Sequence, residues 1–236
     1  MTESLEIQRR PEEASAVLAR LLAERHSCRA FLPVPVERPT IEWIFTTAQR
    51  AASWCNSQPW QVSIVSGPAL RRLRAALEKA AETGQERESD FAFPTEYRGV
   101  YGERRRECGF QLYNSVGVAR GDRAGYARQS AQNYRLFGAP HAAIVTSDQG
   151  LGAYGAIDVG GYVQILLLAM QAQQVAAIPQ AAPANYSKLV KTAAGISDDR
   201  VLVCSVAFGY EAADHPVNSF RTSRAPIDAV VTWIDQ

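Results

Sequence analysis

RHSCRAF, residues 25–31, is the stretch on which the reading of this 236-residue chain turns. It follows a helical segment, yet has neither the three-to-four apolar spacing of a helix core nor the alternation of a strand. Arg25, Ser27 and Arg29 occupy alternating positions, so an extended backbone puts all three side chains on one side. Two guanidiniums around a hydroxyl suit a phosphate: arginine offers fixed, charge-assisted donors, and serine adds a third. The same residues also suit the cationic end of the preceding helix, where arginines complement the helix dipole and pair with surface acids. Spacing alone leaves both readings open.

Working outward, residues 14–24 carry Val17, Leu18, Leu21 and Leu22 at helical spacing after Pro11, and the pattern stops just before the arginines. Residues 40–52 repeat it with Ile41, Ile44, Phe45 and Ala48, Thr40 being the expected cap. The polar loop SWCNSQPW, residues 53–60, then feeds QVSIVSG, a predicted strand closed by Gly67 and Pro68, and residues 69–81 return to helical spacing. Residues 85–106 are rich in charge, aromatic side chains and glycine but have no sustained period, which predicts a long, lid-like surface excursion. Helices are predicted over 111–117 and 126–137, and a buried strand in APHAAIVTS. An almost wholly apolar central helix is predicted over 157–173, followed by a short strand in VAAIPQ and a helix over 186–192. RVLVCSVAFGYE is the clearest strand, and AVVTWI predicts a closing one. With no repeat or linker, residues 1–236 are expected to form a single domain of helices and strands in layers.

Composition narrows the partners. Hydrophobic residues make up 47% of the chain, and 25 Lys plus Arg stand against 24 Asp plus Glu, so no nucleic-acid partner is expected. The charged N-terminus lacks the apolar core of a signal peptide, and GYVQILLLAMQA is short for a bilayer, so no membrane partner and a cytoplasmic location are expected. Cys28, Cys55, Cys108 and Cys204 show no C-x-x-C spacing, and His141 and His215 are isolated, so no metal site is expected.

RHSCRAF followed by SWCNSQPW and a strand resembles the signature of the FMN-dependent nitroreductase family, R-x-S-x-[RK]-x-F and then S-x-x-N-x-Q-P-W. The resemblance continues through GAIDVGGYVQILLLA, VAAIPQAA, FGY and TSRAPIDAVVTW, with 85–106 the least matched part. It implies an α+β three-layer sandwich, a mixed and mostly antiparallel sheet flanked by helices, in an intertwined homodimer whose C-terminal strand extends the partner's sheet. It also implies bound FMN as cofactor, NAD(P)H as co-substrate and a small aromatic acceptor, a nitroaromatic or a quinone, reduced by ping-pong two-electron transfer. Carried over by position, Arg25, Ser27 and Arg29, with His26 in the same stretch, meet the flavin phosphate, ribityl chain and pyrimidine edge, and Arg224 joins at the phosphate. Ser53, Trp54 and Asn56 match positions that reach the flavin from the other subunit, while Gln58, Pro59 and Trp60 hold that loop. Pro179, Gln180, Ala181 and Ala182 match the segment along one face of the flavin ring, where a main-chain N–H meets N5. Trp54 departs from the small hydroxyl residue common at its position, and Ala181 and Ala182 replace a frequent glutamate-glycine pair.

No side-chain catalyst is assigned, because the cofactor carries the hydride chemistry. The same scaffold also serves reductive dehalogenation, flavin modification or flavin binding without turnover. Cys28 beside His26 lacks the third orienting group of a nucleophilic pair. Asp158 is read as a cap, a hydrogen-bonding residue across a dimer interface or a functional acid, and Arg221 as a solvated cation or a second phosphate ligand. Arg104 to Arg106 read as a solvated helix face or as an attractor for a cofactor phosphate or substrate carboxylate. Phe91, Phe93, Tyr97 and Tyr101 line a substrate pocket or pin the excursion by burial.

Overall fold

The strand His141–Asp148 is apolar without alternation because both its faces are covered: every residue from 141 to 147 is buried. A computed structural model describes residues 12–235. In chain order the elements are α1 (Glu12–Glu24), α2 (Arg38–Ala48), β1 (Gln61–Ser66), α3 (Gly67–Glu82), α4 (Gly99–Ser115), α5 (Arg123–Ala131), β2 (His141–Asp148), α6 (Gly152–Ala172), β3 (Ala176–Gln180), α7 (Ser187–Ala194) and β4 (Arg200–Gly209). The sheet order is β1-β2-β4-β3, with every pairing antiparallel. Its parallel component is an isolated bridge between Ser27 and Ala177, which lays the RHSCRAF segment along β3.

Two cores sandwich this sheet. Ala143 and Val145 of β2 face α2 and α6, where they meet Ile44, Val159, Tyr162 and Leu166. Ala142 and Ile144 face α3 and α7, among Leu70, Leu73, Leu77 and Val190. On β4, Val206 and Phe208 join the first core and Ala207 the second, as a two-residue period requires. Leu202 nevertheless joins the second core, because the register shifts between Val145 and Thr146 and that bulge inverts the parity of β4 beyond it. The expected three-layer α+β sandwich is therefore present. With its preceding turn, α6 spans Gln149–Ala172 and is long and apolar enough to cross a membrane, at mean hydropathy 1.4. Its buried face packs in one core with the sheet and α2. Gly155 permits its close approach to β2, since a Cβ there would lie 2.5 Å from Ser147 Oγ.

Several boundaries differ from the sequence reading. Pro11 lies outside the described residues. Thr40 is not a cap: α2 begins at Arg38 with Pro39 in its first turn, where proline's fixed φ suits helix entry, and Glu37 precedes it. Residues 99–106, expected to be irregular, are the first half of α4. That helix shows no amphipathic period because Gly102 is its one buried residue, while Val100, Tyr101 and Phe110 are exposed. The remainder of the excursion is tied down: Ser187 N–H donates to Glu88 O (3.1 Å), Leu202 N–H donates to an Asp90 carboxylate oxygen (2.6 Å), and Lys191 pairs with Asp90 (3.4 Å). The helix expected over 126–137 ends at Ala131, before Leu136 and Phe137 turn to φ 49° and 51°. AVVTWI forms no strand. A strand needs a neighbour to pair with, and Val230, Trp233 and Ile234 stand 71%, 76% and 85% exposed.

Candidate functional site

The α1 helix closes its last turn with Arg25 N–H donating to Leu21 O (3.0 Å), and the chain then runs extended beside β3. Cys28 points inward and is fully buried, donating to Ala30 O (3.1 Å), while its N–H donates to Ala177 O (3.1 Å). Burial pushes the Cys28 thiol up to about 12, and His26 turns instead to Glu211, with Nε2 2.9 Å from Oε1. No cysteine–histidine pair exists at this point. The alternation leaves Ser27 and Arg29 on the opposite side, as the extended reading requires.

That side opens into a cavity of about 270 Å³ lined by Arg25, His26, Ser27, Arg29, Cys108, Phe220, Arg221, Thr222 and Arg224, together with Leu22 and Ala23. Four guanidiniums share it, no carboxylate lines it, and none of the four arginines forms an ion pair among the described residues. Burial and the charge of Arg224 hold Arg25 below the usual arginine range, and burial does the same to Arg29. Cations held together against desolvation and mutual repulsion are the electrostatic complement of an anion. A phosphate monoester, carrying roughly −1.5 to −2 at neutral pH, fits that donor set.

Residues that the sequence did not single out build the cavity. Asn218 is buried. Its Oδ1 accepts Arg29 N–H (2.8 Å), while its Nδ2 donates to Ala30 O (2.9 Å) and Ala212 O (3.1 Å), stapling the C-terminal return to the RHSCRAF segment. The Arg29 guanidinium lies 5.4 Å from the centroid of the Phe220 ring and donates to Ser27 O at 3.1 Å. Arg221 is exposed, as the solvated-cation reading has it, and it also lines the cavity. Its Nη1 donates to Asn218 O (2.7 Å). Arg104 lines an adjoining hollow of about 530 Å³ with Gln111, Thr222 and Arg224, and Arg105 sits over Tyr97, 5.1 Å from its ring centroid.

The other expected site residues lie on separate surfaces of the chain. The Ser53–Gln58 loop rests against α6: Trp54 N–H donates to the Asp158 carboxylate, and the Trp54 ring meets Tyr154 at 4.5 Å. No residue of this loop lines the arginine cavity. Pro179 and Gln180 end β3, and Ala181 and Ala182 begin the turn after it. Gln180 is buried, with Nε2 donating to Asn133 O at 3.0 Å, so its side chain anchors the end of β3, while its Oε1 is buried without a partner among the described residues.

A three-layer sandwich that gathers arginines from both ends of its chain into one cation-lined edge cavity defines a scaffold suited to holding a phosphorylated ligand. The chain belongs to the Nitroreductase family, whose family model matches residues 22–210. It is 36% identical to nitroreductase NfnB of Mycolicibacterium smegmatis (strain ATCC 700084 / mc(2)155), over 87% of this chain and 88% of that protein. It is 32% identical to a 4-nitrobenzoate reductase of Pseudomonas putida, over 86% of this chain and 89% of that one. Its fold matches the crystal structure of an FMN- and NADPH-dependent nitroreductase NfnB from Sphigopyxis sp. strain HMH with a TM-score of 0.89, at 33% identity, covering 92% of this chain and 99% of that one.

Proposed function

We propose that the protein is an FMN-dependent oxidoreductase that uses NAD(P)H to reduce nitroaromatic compounds. The observation that carries this reading is the convergence of Arg25, Arg29, Arg221 and Arg224 on one cavity with no carboxylate in its lining. FMN bound there would supply two-electron redox chemistry between the reduced nicotinamide and the acceptor. Arg25, Arg29 and Arg224 hold its phosphate, Ser27 adds a hydroxyl, and His26, held by Glu211, fixes the rim. RHSCRAF runs parallel to β3 at the Ser27–Ala177 bridge, which supports the main chain at Pro179 to Ala182 as the neighbour of the flavin ring in this reading. The match to NfnB and to 4-nitrobenzoate reductases supports nitroaromatics as the acceptor class.

The working unit is a homodimer in this reading. Three surfaces support it: the exposed α6 face bearing Tyr154, Ile157 and Ile165; the exposed apolar tail; and the outer edge of β1. That edge lies in a groove of about 740 Å³ lined by Ile41, Phe45, Val62, Ile64 and Ala69. The tail of a second copy, extended along this edge, gains main-chain hydrogen bonds and covers Ile64, while Ser53, Trp54 and Asn56 approach the flavin of the other subunit. Four free thiols suit a reducing cytoplasm.

The test is the visible spectrum of the freshly purified protein, followed by anaerobic NADPH and then 4-nitrobenzoate. Bound-flavin bands that bleach with NADPH and return with the nitro compound are expected. A colourless protein refutes the cofactor, bands that do not bleach indicate flavin binding without turnover, and return with a halogenated phenol alone indicates a dehalogenase.

A further inference from the structure

The Ser53–Gln58 loop holds three non-glycine residues in the left-handed region: Cys55 at φ 52°, Asn56 at 55° and Gln58 at 47°. Side chains with a Cβ rarely adopt such backbone, and it persists where the surroundings fix it. Part of the fixing is internal, with Gln58 N–H donating to Ser53 Oγ (2.9 Å) and Gln58 Nε2 to Asn56 Oδ1 (3.1 Å). The rest comes from two charged residues far away in sequence. At the C-terminal end, Arg200 is buried and donates through Nη2 to Pro59 O (2.6 Å) and Thr146 O (3.1 Å), and through Nε to Thr146 Oγ1 (3.2 Å). At the N-terminal end, the Asp158 carboxylate accepts Trp54 N–H, at 3.1 Å to Oδ2 and 3.3 Å to Oδ1.

Asp158 is the one charged residue of α6, and it forms no ion pair among the described residues. Tyr154 lies four positions earlier, on the same helix face, and meets the Trp54 ring. The helix therefore fixes Trp54 twice, main chain through Asp158 and side chain through Tyr154. An ionised carboxylate suits the first task, because it only accepts and binds an N–H more strongly than a neutral oxygen does. We propose that Asp158 is a positioning residue that sets the Ser53–Asn56 loop in the geometry in which it meets the flavin, with Arg200 as the counterpart anchor at Pro59. This rests on the FMN reading above.

The experiment compares Asp158→Ala and Asp158→Asn with wild type in the full-length protein. FMN affinity is read by flavin fluorescence, the setting of the flavin by visible circular dichroism, and the fold by thermal unfolding of the apoprotein. Asp158→Ala is expected to bind FMN about tenfold more weakly, the equivalent of one charge-assisted hydrogen bond, and to alter the visible dichroism, with apoprotein unfolding close to wild type. Asp158→Asn keeps an accepting oxygen and restores most of both signals. Wild-type affinity and dichroism in Asp158→Ala overturn the proposal, as does a loss in both variants that tracks lowered apoprotein stability. A wild-type protein that binds no FMN overturns the cofactor reading itself, a different result from a wild type that binds FMN with variants that bind it equally well.

Discussion

Arg25 is half-buried at the mouth of α1, in a cavity it shares with Arg224, and both burial and that neighbour disfavour its charge. Two effects of opposite sign follow from replacing it by methionine, which keeps an apolar stem of similar length. In the FMN complex the variant loses a charge-assisted hydrogen bond to phosphate worth about 1.5 to 3 kcal/mol, so FMN binding weakens roughly ten- to a hundredfold. In the unliganded protein it loses a desolvated charge held beside another of the same sign. The end of α1 favours a cation by about 0.3–1 kcal/mol, but the net downward shift of Arg25 means that its surroundings on balance oppose the charge. Apoprotein of Arg25→Met is therefore expected to unfold at a temperature no lower than wild type, even as it holds FMN less tightly. Titrating apoprotein with FMN by calorimetry, beside thermal unfolding with and without cofactor, reads both effects. Added salt should narrow the affinity gap, since screening weakens the lost attraction. FMN affinity within twofold of wild type, or a destabilised apoprotein, refutes the reasoning.

Two more outcomes follow from other parts of the chain. His141 is buried, with Nε2 accepting Val36 N–H (2.9 Å) and Nδ1 2.6 Å from Ser66 Oγ, so the folded state requires the neutral ring protonated at Nδ1. Burial lowers its pKa; the unfolded chain takes up the proton first, near pH 6.5, so this contribution is complete above that pH and is lost as pH falls through the lower folded value. Urea unfolding at pH 8 and pH 5 is expected to show a larger acid loss in wild type than in His141→Asn. Ending the chain after Pro226 removes the exposed Val230, Trp233 and Ile234; under the proposed dimer, size-exclusion chromatography should show a dimer for the full chain and a monomer for the shortened one, with flavin lost on the column, and equal elution of the two would count against the tail's role.

The legible parts of the sequence are those whose signal is local. β2, β4 and much of α6 are apolar runs buried within one chain, and the alternation of Arg25, Ser27 and Arg29 puts their side chains on one side, although a phosphate site and a cationic helix end both fit that spacing. Asn218 was not legible, because it meets Arg29 across 189 positions and looks like an ordinary polar residue after a strand. Arg221 was legible only as one of two alternatives, a solvated cation or a second phosphate ligand, because its place beside the cavity depends on how the C-terminal segment returns, which no periodicity encodes. The part of α4 before residue 111 was missed for a different reason. Its apolar residues Val100, Tyr101 and Phe110 are exposed rather than gathered on a buried stripe, so the period that betrays a packed helix is absent.

AVVTWI presents the converse case, a strand pattern with no strand, and it connects the cofactor site to assembly. The segment begins a few residues beyond Arg224, which lines the arginine cavity, and its Val230, Trp233 and Ile234 side chains stand largely exposed among the described residues. If the tail pairs with the β1 edge of a second copy, the C-terminal segment tethers the phosphate site of one chain to the sheet of the other. Holding phosphate through Arg221 and Arg224 then restrains the chain from which the tail departs, and holding the tail restrains those arginines. The two equilibria are linked, so each favours the other by mass action. FMN should accordingly lower the protein concentration at which the dimer dissociates, and dilution of the dimer should release FMN in step. Dissociation at the same concentration with and without saturating FMN would break the link and place the tail's partner elsewhere.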